Sequence, residues 1–245
     1  MRLILDFGNT FQKCAVFDVD KIVAMEKFKS LTLNQLQIFV GNFKKINSCI
    51  LSTVINTPQE ILDWLNENYF FINLSHNTPI PIVNKYTNKQ SLGKDRLAAA
   101  VGINKLAPMS NALSIDIGTA IKFDFVNNKG EYLGGSIAPG LFLRFKSLHN
   151  FTAKLPLVSY NNVHELIGDD TQSSILSGVM NGAIAEINGL INEYQSCFSN
   201  IKIFLSGGES IYFEKYIKSN IFANSNIVLI GLNEILNFNE TNNSL

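Results

Sequence analysis

Only three cysteines occur in the 245 residues: Cys14, Cys49 and Cys197. They are odd in number, far apart and without ligand spacing. That excludes a disulfide framework, argues against a zinc site, and fits a reducing cytoplasm. Three histidines, His76, His149 and His164, lie in polar, loop-like contexts, again without metal-ligand spacing. No Gly-x-Ser-x-Gly elbow, Walker A loop or GxGxxG fingerprint is present. No charge sign dominates, since 20 Lys and Arg balance 20 Asp and Glu; the basic excess of a dedicated nucleic-acid binder is missing. No run approaches the roughly 18 uncharged apolar residues of a membrane span, and Leu3-Ile4-Leu5 is too short for a signal peptide. Neither nucleic acid nor membrane is therefore expected as a partner. With 46% apolar residues, global disorder is excluded as well.

What is present is an internal repeat. Residues 3–10 read Leu-Ile-Leu-Asp-Phe-Gly-Asn-Thr, and residues 113–120 read Leu-Ser-Ile-Asp-Ile-Gly-Thr-Ala. Each is an apolar run ending in Asp-x-Gly. Each is followed by two more strand-like runs joined by a turn, so both halves open on an antiparallel meander. A repeat of about 110 residues suits two similar halves and is too long for a solenoid. Residues 1–112 and 113–245 are the expected halves. Between the meanders, helical and strand patterns alternate, which implies an α/β fold.

The pattern predicts a helix over 32–43 capped by Thr32, a strand over 48–54, and a helix opened by Thr57-Pro58-Gln59-Glu60 with Thr57 as cap. It predicts short strands at 80–83, 201–205 and 227–230, a helix over 141–148, and a long helix over 172–193. Gly178, Gly182 and Gly189 lie inside that last helix. Each costs about 1 kcal/mol against Ala, so another backbone is expected to come close to them.

An Asp-x-Gly strand end has a chemical use. The carboxylate is aimed outward, and the glycine lets the next backbone N–H groups turn toward an anion. Asp6 and Asp116 could hold cations while Asn9, Thr10 and Thr119 donate to phosphate. Gly93-Lys94-Asp95-Arg96 precedes a helical Ala-rich run. It places a carboxylate able to accept a hydroxyl proton beside a guanidinium able to grip a carboxylate. Read without further context, each is equally a hairpin turn, a helix cap or a solvated charge. Gly134-Gly135-Ser136-Ile137-Ala138-Pro139-Gly140 and Ser206-Gly207-Gly208 are glycine-rich turns of the same ambiguous kind.

Asp6-Phe7-Gly8-Asn9-Thr10 resembles the phosphate-binding opening of the superfamily of acetate and sugar kinases, heat-shock chaperone ATPases and actin. Further segments, in order, resemble one member family, the type III pantothenate kinases. These are Leu92-Gly93-Lys94-Asp95-Arg96, Asp116-Ile117-Gly118-Thr119-Ala120, the 134–140 turn, Thr152-Ala153-Lys154-Leu155-Pro156, Ile167-Gly168-Asp169-Asp170-Thr171, Ser206-Gly207-Gly208 and Gly231-Leu232-Asn233-Glu234-Ile235-Leu236.

The resemblance implies an α/β protein of two ribonuclease H-like halves, each a mixed five-stranded type of sheet with helices, around a central cleft. It implies ATP-dependent phosphorylation of pantothenate to 4'-phosphopantothenate, the first step of coenzyme A biosynthesis, in the cytoplasm. Asp95 matches the proton acceptor. Tyr86, Gly93, Lys94, Asp95, Arg96 and Thr171 match the pantothenate site, Thr171 reaching it from the partner subunit of a homodimer. Asp6, Phe7, Gly8, Asn9, Thr10, Phe11, Gln12 and Lys13, with Thr119, match the ATP site. Asp116 matches the residue binding a monovalent cation, K+ or NH4+, and Asp6 is a candidate for Mg2+ through water.

This chain departs from the family where Lys122 stands in place of Thr, where Thr87-Asn88 replaces Asn-Pro, and where Ser206 replaces Thr. Two other readings stay open: a non-catalytic regulatory relative of the Bvg accessory factor type, and a kinase of the same superfamily for another small alcohol.

Overall fold

A computed structural model describes residues 1–160 and 164–243. In chain order its elements are β1 (Arg2–Phe7), β2 (Gln12–Asp18), β3 (Lys21–Phe28), α1 (Leu33–Gly41), β4 (Ser48–Thr53), α2 (Gln59–Asn68), β5 (Phe70–Asn73), β6 (Val83–Asn84), α3 (Lys94–Leu106), β7 (Ala112–Ile117), β8 (Ala120–Val126), β9 (Glu131–Pro139), α4 (Leu141–Asn150), α5 (Thr171–Cys197), β10 (Lys202–Ser206), β11 (Ile221–Ala223) and α6 (Ile227–Asn243). They gather into two compact units. Unit 1 holds Met1–Pro108, Gly130–Tyr132 and Asn226–Leu245; unit 2 holds Met109–Lys129 and Leu133–Ser225.

Unit 1 is built on a sheet ordered β3-β2-β1-β4-β5. The first three strands form the antiparallel meander that the sequence predicts, while β4 and β5 add in parallel. The near-continuous apolar run of β1 follows from burial on both faces. Leu3, Leu5 and Phe7 pack with Leu36 and Phe39 of α1 and Ile61 and Leu65 of α2. Ile4 and Ile50 are equally buried on the other face, where α6 lies against β1 and β4. Cys14 and Cys49 belong to the first of these layers. Burial pushes the Cys14 thiol up to about 12 and Cys49 upward as well, so both are inert structural thiols.

Unit 2 repeats the plan, with a sheet in which β7 lies between β8 and β10, and β10 carries β11 in parallel. Its core joins Leu113, Ile115 and Phe123 to Val179, Met180, Ala183 and Ile187 of α5. Among the described residues, α5 is the one helix long and apolar enough to cross a membrane by length and composition. Its buried residues recur along one face of that core, and Glu186 on it is ion-paired to Arg144.

Several local expectations are met. Thr32 caps α1 in a capping box with Gln35, and the predicted helices at 141–148 and 172–193 are α4 and α5, each somewhat longer. Others are corrected. Thr57 does not cap α2: its hydroxyl donates to Thr53, and Pro58 takes the N-cap position without a side-chain bond. The 80–83 strand shrinks to Val83–Asn84.

Residues 227–230 begin a helix instead of forming a strand. A short buried apolar run does not distinguish the two by periodicity. That helix also departs from a division at residue 112, because it folds back onto unit 1. A Cβ at Gly231 would strike the Ala98 carbonyl of α3, and one at Gly102 the Ile227 carbonyl. Arg2 on β1 binds Glu240 at 2.7 Å and Lys105 on α3 binds Glu234 at 2.9 Å, both reaching to α6. Gly178, Gly182 and Gly189 differ: nothing in this chain lies within 4 Å of where their Cβ atoms would be.

Gly231→Ala is therefore expected to destabilise unit 1 by about 2 kcal/mol through overpacking, read as a lower urea midpoint. Gly41→Ala, with open space around it, leaves the midpoint unchanged or slightly higher. Equal midpoints for both variants would contradict this account of α6.

Candidate active site

In unit 1, Asp6 ends the central strand and is only partly exposed. The register pairs it with Lys13 across the hairpin, with the ammonium 4.0 Å from Oδ2. The turn between them closes when the Gly8 N–H donates to the Phe11 carbonyl at 3.0 Å. Asn9, Thr10 and Phe11 are left exposed at its tip. Gln12 points the other way. Its side chain is buried, and its Oε1 accepts the Leu31 N–H at 2.5 Å, which anchors the base of the loop. A single carboxylate beside an open turn fits Mg2+ held mainly by water and phosphate oxygens.

The same unit assembles Tyr86, Gly93, Lys94, Asp95 and Arg96. Gly93 is the N-cap of α3, and Asp95 lies in its first turn, where a carboxylate complements the positive helix end. A Cβ on Gly93 would come within 2.7 Å of Asp95 Oδ1. Glycine there leaves the carboxylate room. Arg96, 5% exposed, lays its guanidinium over the Tyr86 ring, 5.6 Å from the centroid. Tyr86 in turn stacks on the buried Tyr132, with centroids 6.1 Å apart and planes 12° from parallel. Tyr132 reaches it through the pairing of β9 with β6.

Sequence reasoning missed Tyr132. It reads as an ordinary strand aromatic, and only the parallel pairing of a two-residue strand reveals the contact.

In unit 2, Asp116 ends β7 as Asp6 ends β1, and three glycine-bearing turns converge on it. Gly118 donates its N–H to the Ala120 carbonyl at 3.1 Å, and Gly140 donates to the Thr119 carbonyl at 3.1 Å. Gly140 packs directly on the Gly118 and Thr119 backbone. Gly207, at φ +96°, packs on the Ile117 backbone and the Asp116 carboxylate, where no Cβ fits. Ser206 Oγ stands 3.5 Å from Asp116 Oδ1. Thr119 is exposed at the turn.

Lys122, paired with Asp116 in the β7–β8 register, places Nζ 2.6 Å from Oδ2. A free monovalent cation expected on that carboxylate does not fit a donor set already holding an ammonium.

Glu209, also missed by the sequence reading, ties these turns together. Its N–H donates to the Ile117 carbonyl at 3.0 Å and its carboxylate accepts the Leu141 N–H at the start of α4 at 3.4 Å. Burial raises its carboxyl above the usual range, against that hydrogen bond. Its position straight after Ser206-Gly207-Gly208 was the available signal.

Thr171 is not among the residues around Asp116. It is exposed at the start of α5, whose N-cap Asp170 accepts the Ser173 N–H at 2.7 Å. With Arg144, Leu155, Asp169, Asp170 and Ile175 it lines a separate cavity of about 900 Å³.

Comparison with known proteins bears on the fold and the family. A crystal structure of a Baf family protein from Campylobacter jejuni superposes with a TM-score of 0.60 at 23% identity, covering 98% of this chain and 99% of that one. The ROK hexokinase from Thermus thermophilus superposes with a TM-score of 0.51 at 13% identity, covering 97% and 99%. At these identities they establish the fold alone, the two-domain, actin-like architecture of sugar kinases. A type III pantothenate kinase from Christiangramia forsetii is 41% identical over 242 residues, 98% of this chain and 100% of its own length. The family model described as type III pantothenate kinase matches residues 2–193. That match takes in both Asp-x-Gly turns and the Gly93–Arg96 helix start, and the chain belongs to the type III pantothenate kinase family.

Proposed function

We propose that this protein transfers the γ-phosphoryl group of ATP to the terminal hydroxyl of pantothenate, giving 4'-phosphopantothenate at the start of coenzyme A synthesis. The observation that carries the reading is the start of α3, where Gly93 makes room for the Asp95 carboxylate beside a buried Arg96 fixed on Tyr86. Asp95 accepts the hydroxyl proton as the oxygen attacks phosphorus. Arg96, its guanidinium 5.6 Å from the Tyr86 ring centroid, binds the pantothenate carboxylate by two parallel hydrogen bonds. Tyr86 and Lys94 flank that substrate.

Phosphoryl transfer asks mostly for positioning and charge stabilisation. The turn Asp6–Lys13 and Thr119 hold the polyphosphate through backbone N–H groups, hydroxyls and the Lys13 ammonium. Mg2+, when bound near Asp6 through water, neutralises phosphate charge. Buried thiols and an unpaired cysteine count support a cytoplasmic enzyme. The open glycine positions of α5 support a homodimer joined along that helix, with Thr171 offered to the partner's pantothenate site. Light scattering at twice the 27.3 kDa chain mass is the expected result, and a monomer at assay concentration would rule the dimer out.

The kinase reading is tested by following ADP release with pantothenate as acceptor. Asp95→Asn is expected to lower kcat by 10²- to 10⁴-fold, with ATP affinity and melting temperature nearly unchanged. Wild-type-like turnover in that variant would remove Asp95 as the proton acceptor. Arg96→Lys keeps the charge but loses the planar fork, so KM for pantothenate is expected to rise about tenfold or more while KM for ATP stays put. A regulatory relative without catalysis would show ATP binding and no ADP release with any small alcohol.

A further inference from the structure

We infer that Lys122 is a tethered substitute for a free monovalent cation at Asp116, so that this chain works without added K+ or NH4+. The inference rests on the kinase reading above. Both meanders pair their strand-end aspartate with a lysine across the hairpin, Asp6 with Lys13 and Asp116 with Lys122. The two pairs differ in geometry. Lys13 Nζ stays 4.0 Å from its carboxylate, whereas Lys122 Nζ sits 2.6 Å from Asp116 Oδ2. Both pairs are about equally sheltered, with side-chain exposures of 19% and 20% for Lys122 and Asp116 and 26% and 13% for Lys13 and Asp6. The other Asp116 carboxylate oxygen faces Ser206 Oγ and the Gly207 backbone.

A primary ammonium and a potassium ion carry the same single charge, and an ammonium ion is close to potassium in size. An ammonium supplied by the strand therefore gives the Asp116 turn its positive charge without a binding step. It also excludes a competitor. A free cation about 4 Å from Nζ would be repelled by a factor of about a thousand in affinity at an effective dielectric near 20. The second Asp-x-Gly turn is thus built with its counter-ion in the chain.

The experiment compares the full-length protein with Lys122→Thr in choline chloride, KCl, NH4Cl and LiCl at equal ionic strength. ADP release is measured with pantothenate, and binding of Tl+, a spectroscopic stand-in for K+, by thallium NMR. The wild type is expected to show rates within twofold in all four salts and no saturable Tl+ binding. Lys122→Thr is expected to lose at least tenfold in choline, to recover at least half of the wild-type rate in KCl or NH4Cl but not in LiCl, and to bind Tl+.

Tenfold or greater stimulation of the wild type by K+, or saturable Tl+ binding to it, overturns the proposal. So does a folded Lys122→Thr that ignores every salt. Should that variant fail to fold, the wild-type salt series and Tl+ titration still decide. If neither protein phosphorylates pantothenate in any salt, the kinase reading fails, while the Tl+ contrast between the two proteins still tests the tethered cation.

Discussion

Where Gly102 and Gly231 meet, the backbones of α3 and α6 lie closer than any side chain would allow. Much of unit 1 depends on that contact. It presses α6 onto β1 and β4, covering the second face of the sheet and so making the continuous apolar run of β1 a buried strand. It also holds α3 by its middle, and the first turn of α3 carries Asp95 and Arg96. The ion pairs of Arg2 and Lys105 to α6 secure the helix from both sides. They are partly exposed and add little by themselves. The helix contact supplies rigidity, and the carboxylate at its end inherits it.

The sequence carried a good part of this. Asp-x-Gly after an apolar run is legible because a strand end and a glycine turn are local features, and the meanders follow from turn residues and alternation. Thr32 was legible as a cap because its partner, Gln35, is three residues away. What failed was non-local. The run Ile227–Ile230 is as apolar as a strand, and only the distant Ala98 carbonyl explains why Gly231 continues a helix.

The same holds in the candidate site. Asp95 and Arg96 announce themselves by adjacency, but Tyr132 joins Tyr86 through a two-strand pairing with no sequence signature. Gln12 reads as a loop residue facing a ligand, yet its side chain closes on Leu31. A residue's neighbourhood in the chain tells what it can do chemically. It does not tell which way it faces.

Electrostatics follow the same economy. A chain with 20 charges of each sign has no broad field for drawing in a polyanion. Its glycine turns are closed by backbone contacts: Gly8, Gly118 and Gly140 donate their N–H groups to nearby carbonyls, and Gly207 packs on the Ile117 backbone. Its charged side chains near those turns come as local pairs, Asp6 with Lys13 and Asp116 with Lys122. Partly sheltered from solvent, such pairs are weakened by salt less than surface pairs are.

The return of α6 to unit 1 also sets an order of assembly. Unit 2 is nearly continuous in the chain from Met109 to Ser225, whereas unit 1 needs residues from both sides of it. The bond from Arg2 to Glu240 spans 238 residues. As the polypeptide leaves the ribosome, the first sheet is made early but stays uncovered on its α6 face until unit 2 has been synthesised. The unit that begins the chain is completed last, and during that interval its bare strands are the surface a chaperone would hold.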